Sequence, residues 1–303
     1  MTSTTVEPSE ETEVEFLNGS EFLTEFKPMY FDWKSAFIVA KKNLKLALRY
    51  PANLLIWGIM PVMWFAPFIL MATAIAGPET STHFTELSGF DDYITFSIIG
   101  WFVIMFLDNS IWGIGNSFRW EQFSGTLEPL FMAPVPRVSL LLGAAFSDSI
   151  QAVFQTSVLL GLSTLIFGPR YAWTQIAPIV IILLVMIVAL YGFGFMVAGL
   201  IIVFKDPSVL TQLVSEVTWM VSPVQYPIQA LPGPVRFAAY LVPTTLAIIT
   251  IRELAITGIF NLVGFLTTLG GLALVALLFW SLGLGSFKYA EKWSRQRGHM
   301  GGF

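Results

Sequence analysis

At 303 residues, 55% hydrophobic and 12% charged, with a mean hydropathy of +0.72, the chain is no ordinary soluble domain, where about 25% of residues are charged. Its formal charge of −4 says little about partners, because eight of the 20 acidic residues precede Trp33, from Glu7 to Asp32, and no nucleic-acid partner is expected. The absence of cysteine excludes disulfide frameworks and thiolate metal sites.

The acidic start, residues 1–28, reads as a solvated, disordered cytoplasmic arm. It lacks the basic start and short apolar core of a secretory signal, so the first span is expected to insert uncleaved. Residues 29–50 follow as an amphipathic helix. Trp33, Phe37, Ala40, Leu44 and Leu48 share one face, and Lys34, Lys41, Lys45 and Arg49 flank it, the pattern of a helix lying in the membrane interface. Pro51 breaks the chain where it turns to cross the bilayer.

Residues 51–287 are expected to form one all-α transmembrane domain. The predicted spans are Leu54–Ala76, Tyr93–Phe118, Val138–Phe167, Trp173–Phe204, Val209–Ile228 and Leu262–Leu284. A seventh apolar run, Phe237–Ile251, is too short to span and is interrupted by Pro243, so it reads as re-entrant or interfacial. Residues 288–303 form a basic cytoplasmic tail. With six spans, 13 Lys and Arg residues fall on the side of the termini and three, Arg170, Arg236 and Arg252, on the other. That asymmetry puts both termini in the cytoplasm of a multi-pass protein of an inner or plasma membrane. Trp57, Trp101, Trp173 and Trp293 read as interfacial anchors.

Carboxylates inside spans are costly and usually mark function or a water-lined path. Asp108, Asp148 and Glu216 each lie about 15 Å from the cytoplasmic end of their spans, at 1.5 Å per residue. Asp148, Gln151 and Gln155 share a helical face, as do Gln212, Glu216 and Trp219, while Asn109 begins a third stripe beside Asp108. Two readings stand: hydrogen bonds that hold helices together, or a polar vestibule forming a substrate path.

The connection after the second span runs Arg119-Trp-Glu-Gln-Phe-Ser-Gly-Thr-Leu-Glu-Pro-Leu-Phe-Met-Ala-Pro-Val-Pro-Arg137. Gly125 or Thr126 suits the cap of a short helix that Pro134 and Pro136 end. Leu127, Leu130, Phe131 and Met132 then need a partner surface. Glu121, Gly125, Thr126, Leu127, Glu128, Leu130 and Pro134 match the E-x-x-x-G-T-L-E-x-L pattern and following proline of the ABC-2 export permeases, which the chain resembles over most of its length. The resemblance implies an all-α membrane protein with six transmembrane helices, an N-terminal interfacial amphipathic helix, a cytoplasmic coupling helix and an outer re-entrant helical hairpin. It makes Glu121–Leu130 the coupling segment seated on an ATPase subunit, with Lys205 and Asp206 a second contact, and it places Pro232, Pro243 and Arg252 in the outer re-entrant segment.

No G-x-x-x-x-G-K-[ST] phosphate loop occurs, so ATP hydrolysis is expected on a separate subunit in two copies, with ATP and Mg bound there and no cofactor on this chain. The other implied partners are a second permease copy, forming a homodimer, and membrane lipids. The cargo expected from the resemblance is an amphiphile, a lipid or a lipid-linked glycan, exported by alternating access. The competing reading is an ion-coupled secondary transporter relaying protons through Asp108, Asp148 and Glu216, although no inverted repeat supports it.

Overall fold

The computed structural model describes residues 31–76, 82–114, 135–203 and 207–297, together with Ser117, Glu121 and Gly125. The acidic arm 1–28 and the last residues of the basic tail lie outside the described residues. Helix α1, Trp33–Arg49, begins at Asp32, whose side chain accepts from the backbone N–H groups of Lys34 and Ser35. It leads into α2, Pro51–Ala76, and a short α3, Thr82–Ser88. Next come α4, Tyr93–Asn109, which continues as a π-helical turn Ser110–Ile114, and α5, Arg137–Phe167. Helix α6 spans Ile176–Val203 and α7 spans Pro207–Val221. The pair α8, Gly233–Leu241, and α9, Pro243–Arg252, precedes a π-helical turn Glu253–Thr257 and the long α10, Leu262–Arg297.

Five of these helices are long and apolar enough to cross a membrane, or six if α8 and α9 with its π turn count as one broken span. Helix α4 is central: 78% of its apolar window is buried, against 22% to 33% for the other four. Around it α2 contributes Val62, Phe65 and Ile69, α5 contributes Ala152 and Leu159, and α6 contributes Ile182, Met186 and Leu190. The opposite faces of α2, α5 and α10 expose rows such as Leu55, Ile59, Met63 and Leu70, a surface suited to hydrocarbon. Trp101, expected at an interface, is buried against Phe65 and Trp219, because it lies two turns inside α4.

The fifth expected span, Val209–Ile228, is revised. Helix α7 stops at Val221, and 15 residues at 1.5 Å each cover about 22 Å, less than the roughly 30 Å hydrocarbon core. Pro223 removes a backbone donor at the stop, and Ser222, Pro223 and Val224 are all buried. The expected break at Pro243 is present: Val242 is extended, and α8 and the α9 segment meet at 94°.

The expected apolar face of α1 is exposed at Trp33, Phe37 and Leu48, but Ala40 turns inward with Ala36. Ala36 and Ala40 pack on α5, the Asp32 N–H donates to Ser139 Oγ at 2.7 Å, and Asn43 Nδ2 donates to Ser147 Oγ at 3.2 Å. Small residues form this seam because they let the two backbones approach. Trp33, Phe37 and Leu48 remain exposed, so one helix serves both a protein contact and an apolar outer surface.

Candidate functional site

Two polar regions occupy opposite ends of the bundle. The first lies toward the α1 end, where α4 passes from α-helix to the π turn Ser110–Ile114, a geometry common at functional positions. Just before the turn, Asn109 Nδ2 donates to Met105 O at 2.8 Å and to Gln155 Oε1 at 3.0 Å, joining α4 to α5. Ser110 Oγ donates to Leu190 O of α6 at 2.8 Å. Gly113 lies directly against the Asp148 carboxylate, and any Cβ there would overlap it.

Asp148 is half-buried, and among the described residues no hydrogen bond reaches its carboxylate. On one side it borders a void of about 10 Å³ shared with Asn109, Ser149 and Tyr191. On the other it lines a groove of about 530 Å³ beneath α1, with Asn43, Tyr50, Asn53, Leu140 and Gln151. No Lys or Arg is among the described residues lining that groove.

Asp108 is in the opposite condition. Its Oδ1 accepts from Ser215 Oγ at 2.8 Å and its Oδ2 from Trp219 Nε1 at 2.8 Å, tying α4 to α7. The expected stripe of Gln212, Glu216 and Trp219 is thereby split. Trp219 shares the inward face with Ser215, four residues earlier, whereas Gln212 and Glu216 are exposed on another face and bond each other at 2.6 Å. The structure therefore joins Asp108 to Trp219, Asn109 to Gln155, and Gln212 to Glu216, and leaves Asp148 beside Gln151 on the groove.

The second polar region lies at the far end and centres on Arg252, 2% exposed. Its Nε donates to Phe96 O at 3.0 Å, one terminal nitrogen to Pro223 O at 2.7 Å and the other to Val224 O at 2.5 Å. The guanidinium carbon stands 3.4 Å from the Phe96 ring centroid. Carbonyls released where α7 stops short would otherwise be orphaned inside the protein, and the planar fork meets two of them together. Gly100 allows this approach, since a Cβ there would lie 2.8 Å from the Val224 carbonyl carbon. Arg252, expected in the outer re-entrant segment, is the buried last residue of α9. Pro232 is the exposed residue before α8, and Pro243 is the buried first residue of α9.

Of the expected coupling segment, Glu121 forms an ion pair with Lys42 of α1, and Gly125 is exposed with φ of 68°, a left-handed turn that favours glycine. Thr126, Leu127, Glu128, Leu130, Lys205 and Asp206 lie outside the described residues. Among the described residues no cluster of three or more His, Asp or Glu side chains is placed to hold a metal ion.

Sequence reasoning missed Ser215, Gly113, Asn43 and Asn53. Ser215 was findable, because it stands four residues before the expected Trp219. The groove residues were not, because they come from helices whose rotation about their axes no periodicity fixed.

No curated protein matches the sequence. The sequence profile of the ABC-2 type transporter matches residues 34–256, from the second residue of α1 to the π turn after Arg252, so both polar regions lie inside the match. The match covers well over half of the 303 residues and agrees with the bundle of apolar helices: the chain belongs to the ABC-2 type transporter family, as a membrane-embedded permease component rather than a catalytic ATPase.

Proposed function

We propose that the chain is the membrane subunit of an ATP-driven exporter, working as a homodimer with two copies of a separate ATPase that binds ATP and Mg. Both termini are cytoplasmic, and the cargo is an amphiphile, a lipid or a lipid-linked glycan. The observation that carries this reading is the Lys42–Glu121 ion pair. It ties the head of the connection containing Gly125–Leu130 to α1, which rests on α5, so force applied to the connection reaches the groove and the spans together. Gly125 in a left-handed turn supports a chain reversal just before Thr126–Leu130.

The exposed Gln212–Glu216 pair supports the dimer. A carboxylate amid the exposed Leu213 and Val217 of α7 is costly against hydrocarbon, and a second copy or a wet path between copies removes that cost. The carboxylates of the α1 end, with Asn109, Gln151 and Gln155, then line the path whose access alternates. A proton relay fits less well, because Asp108 is already held by Ser215 and Trp219.

Burial of Leu127 and Leu130 on the ATPase contributes roughly 1.5–3 kcal/mol for each fully buried side chain. Leu127→Asp or Leu130→Asp is therefore expected to detach or uncouple the ATPase while the spans stay folded, read by ATPase pull-down and substrate-stimulated ATP hydrolysis in nanodiscs. Coupled transport at full rate in both variants overturns the assignment. A reporter after Phe303 is expected to read cytoplasmic and one at Thr82 external, and an external C-terminus overturns the topology.

A further inference from the structure

We propose that the groove between α1, α4 and α5 is a binding site for the ammonium head of a membrane-borne amphiphile, with Asp148 as its counter-ion. The site lies within one copy of the chain, so it goes beyond the export reading and does not depend on the dimer.

The first argument is the carboxylate. Asp108 has two donors and Glu216 has one, whereas no hydrogen bond reaches Asp148 from the described residues. A partly desolvated carboxylate without donors is unfavourable until something positive or donating arrives. The described residues do not supply it: none of the lining residues is a Lys or Arg, and Lys42 of α1 is engaged by Glu121 at the rim.

The second argument is the shape and lining. A groove of about 530 Å³ falls within the roughly 300–1,000 Å³ of small-molecule sites. Beside Asp148 it offers Asn53 and Gln151, and Asn43, whose Nδ2 is used on Ser147, retains its carbonyl oxygen as an acceptor. An ammonium carries donors alone, so the Asp148 carboxylate and the amide oxygens match it, with the Glu121 carboxylate also in the lining. An anion would meet Asp148 with repulsion. Magnesium favours a near-octahedral set of hard oxygens, and no acidic cluster of three exists among the described residues.

The third argument is access. Leu140 and Tyr50 give apolar wall to an alkyl chain, and the groove opens under a helix whose other face exposes Trp33, Phe37 and Leu48. A molecule partitioned into that surface layer reaches the groove sideways with its tail still in the apolar layer. Gly113 completes the site, because a larger residue there would take the space of the carboxylate.

The test uses the full chain in phosphatidylglycerol nanodiscs without nucleotide, with dodecylammonium bearing a diazirine as photolabel. Labelling is expected in residues 39–53 and 140–151 and is expected to be displaced by plain dodecylammonium but not by dodecyl sulfate. Asp148→Asn is expected to weaken binding about tenfold or more. Ala47→Phe, which fills the groove and keeps the carboxylate, is expected to do the same, and Asp148→Glu to retain binding. Competition by added phosphatidylethanolamine identifies a lipid head as the source, and its absence assigns the site to a free amphiphilic amine. Equal capture of dodecyl sulfate, labelling confined to residues that do not line the groove, or unchanged affinity in both Asp148→Asn and Ala47→Phe overturns the proposal. Because no turnover is measured, such a failure leaves the ATPase-coupling reading standing, and loss of coupling in Leu127→Asp leaves this one standing.

Discussion

Two polar regions lie in the same apolar bundle, each beside a π-helical turn, and they solve opposite problems. Arg252 donates to the carbonyls of Phe96, Pro223 and Val224, so its guanidinium is held by backbone acceptors. Asp148, beside Ser110–Ile114, has acceptors in excess and faces a groove. A buried charge satisfied by backbone on every side holds structure. A charge left unsatisfied beside open space is available to a ligand. Side-chain type alone does not separate the two cases, and the partners do.

The contrast is broken most directly at Arg252. Arg252→Met leaves the buried carbonyls of Pro223 and Val224 without their donor and is expected to cost on the order of 3 kcal/mol or more, seen as a lower melting temperature in nanodiscs. Arg252→Lys, which keeps the charge but not the planar fork, is expected to recover little of it. Full recovery by lysine would mean that charge, not donor geometry, matters at the far end.

The carboxylates give smaller and opposite effects. Asp108→Asn places an amide donor against Ser215 or Trp219 and is expected to lower stability by about 1 kcal/mol. Asp148→Asn removes a partly desolvated charge that no donor among the described residues offsets and is expected to raise stability by about 1 kcal/mol. The same thermal assay reads both, and equal losses would erase the distinction between a packed and an open carboxylate.

The smallest effect is expected at Asp32, where α1, the roof of the groove, begins. Hydrogen bonds from the Ser35 hydroxyl and from the backbone N–H groups of Ser35 and Lys34 hold its carboxyl below the ordinary aspartate range. The cap is therefore whole above that range and is lost as the pH falls through the lowered value. Protection of the first turn of α1 against hydrogen exchange, taken relative to the intrinsic rate at each pH, is expected to fall in acid, and Asp32→Ala to remove that pH dependence.

Much of the fold was legible because hydrophobic runs and prolines act locally: Pro51, Pro243 and the runs expected to end at Phe167 and Phe204 each mark a boundary the structure keeps within a few residues. The stop at Val221 was not, since the run continues through Val224 and Ile228, and what ends the helix is Pro223 together with a distant arginine. The pairing of Asn109 with Gln155 had a trace, both being amides at similar depth. The difference between Asp108 and Asp148 had none. Each is an aspartate with polar residues in its own helical turn, and their fates depend on Ser215 and Gly113, which sit on other helices.

Helices α6 and α10 meet through Gly192 and Gly283, where a Cβ at either position would strike the backbone of the other helix. Two backbones in such contact cannot slide past each other without parting altogether. The pair therefore behaves as a stator. Any rearrangement of the bundle has to be taken up by the short α7, by the two π turns and by α1, and a cross-link between α6 and α10 would leave that motion free.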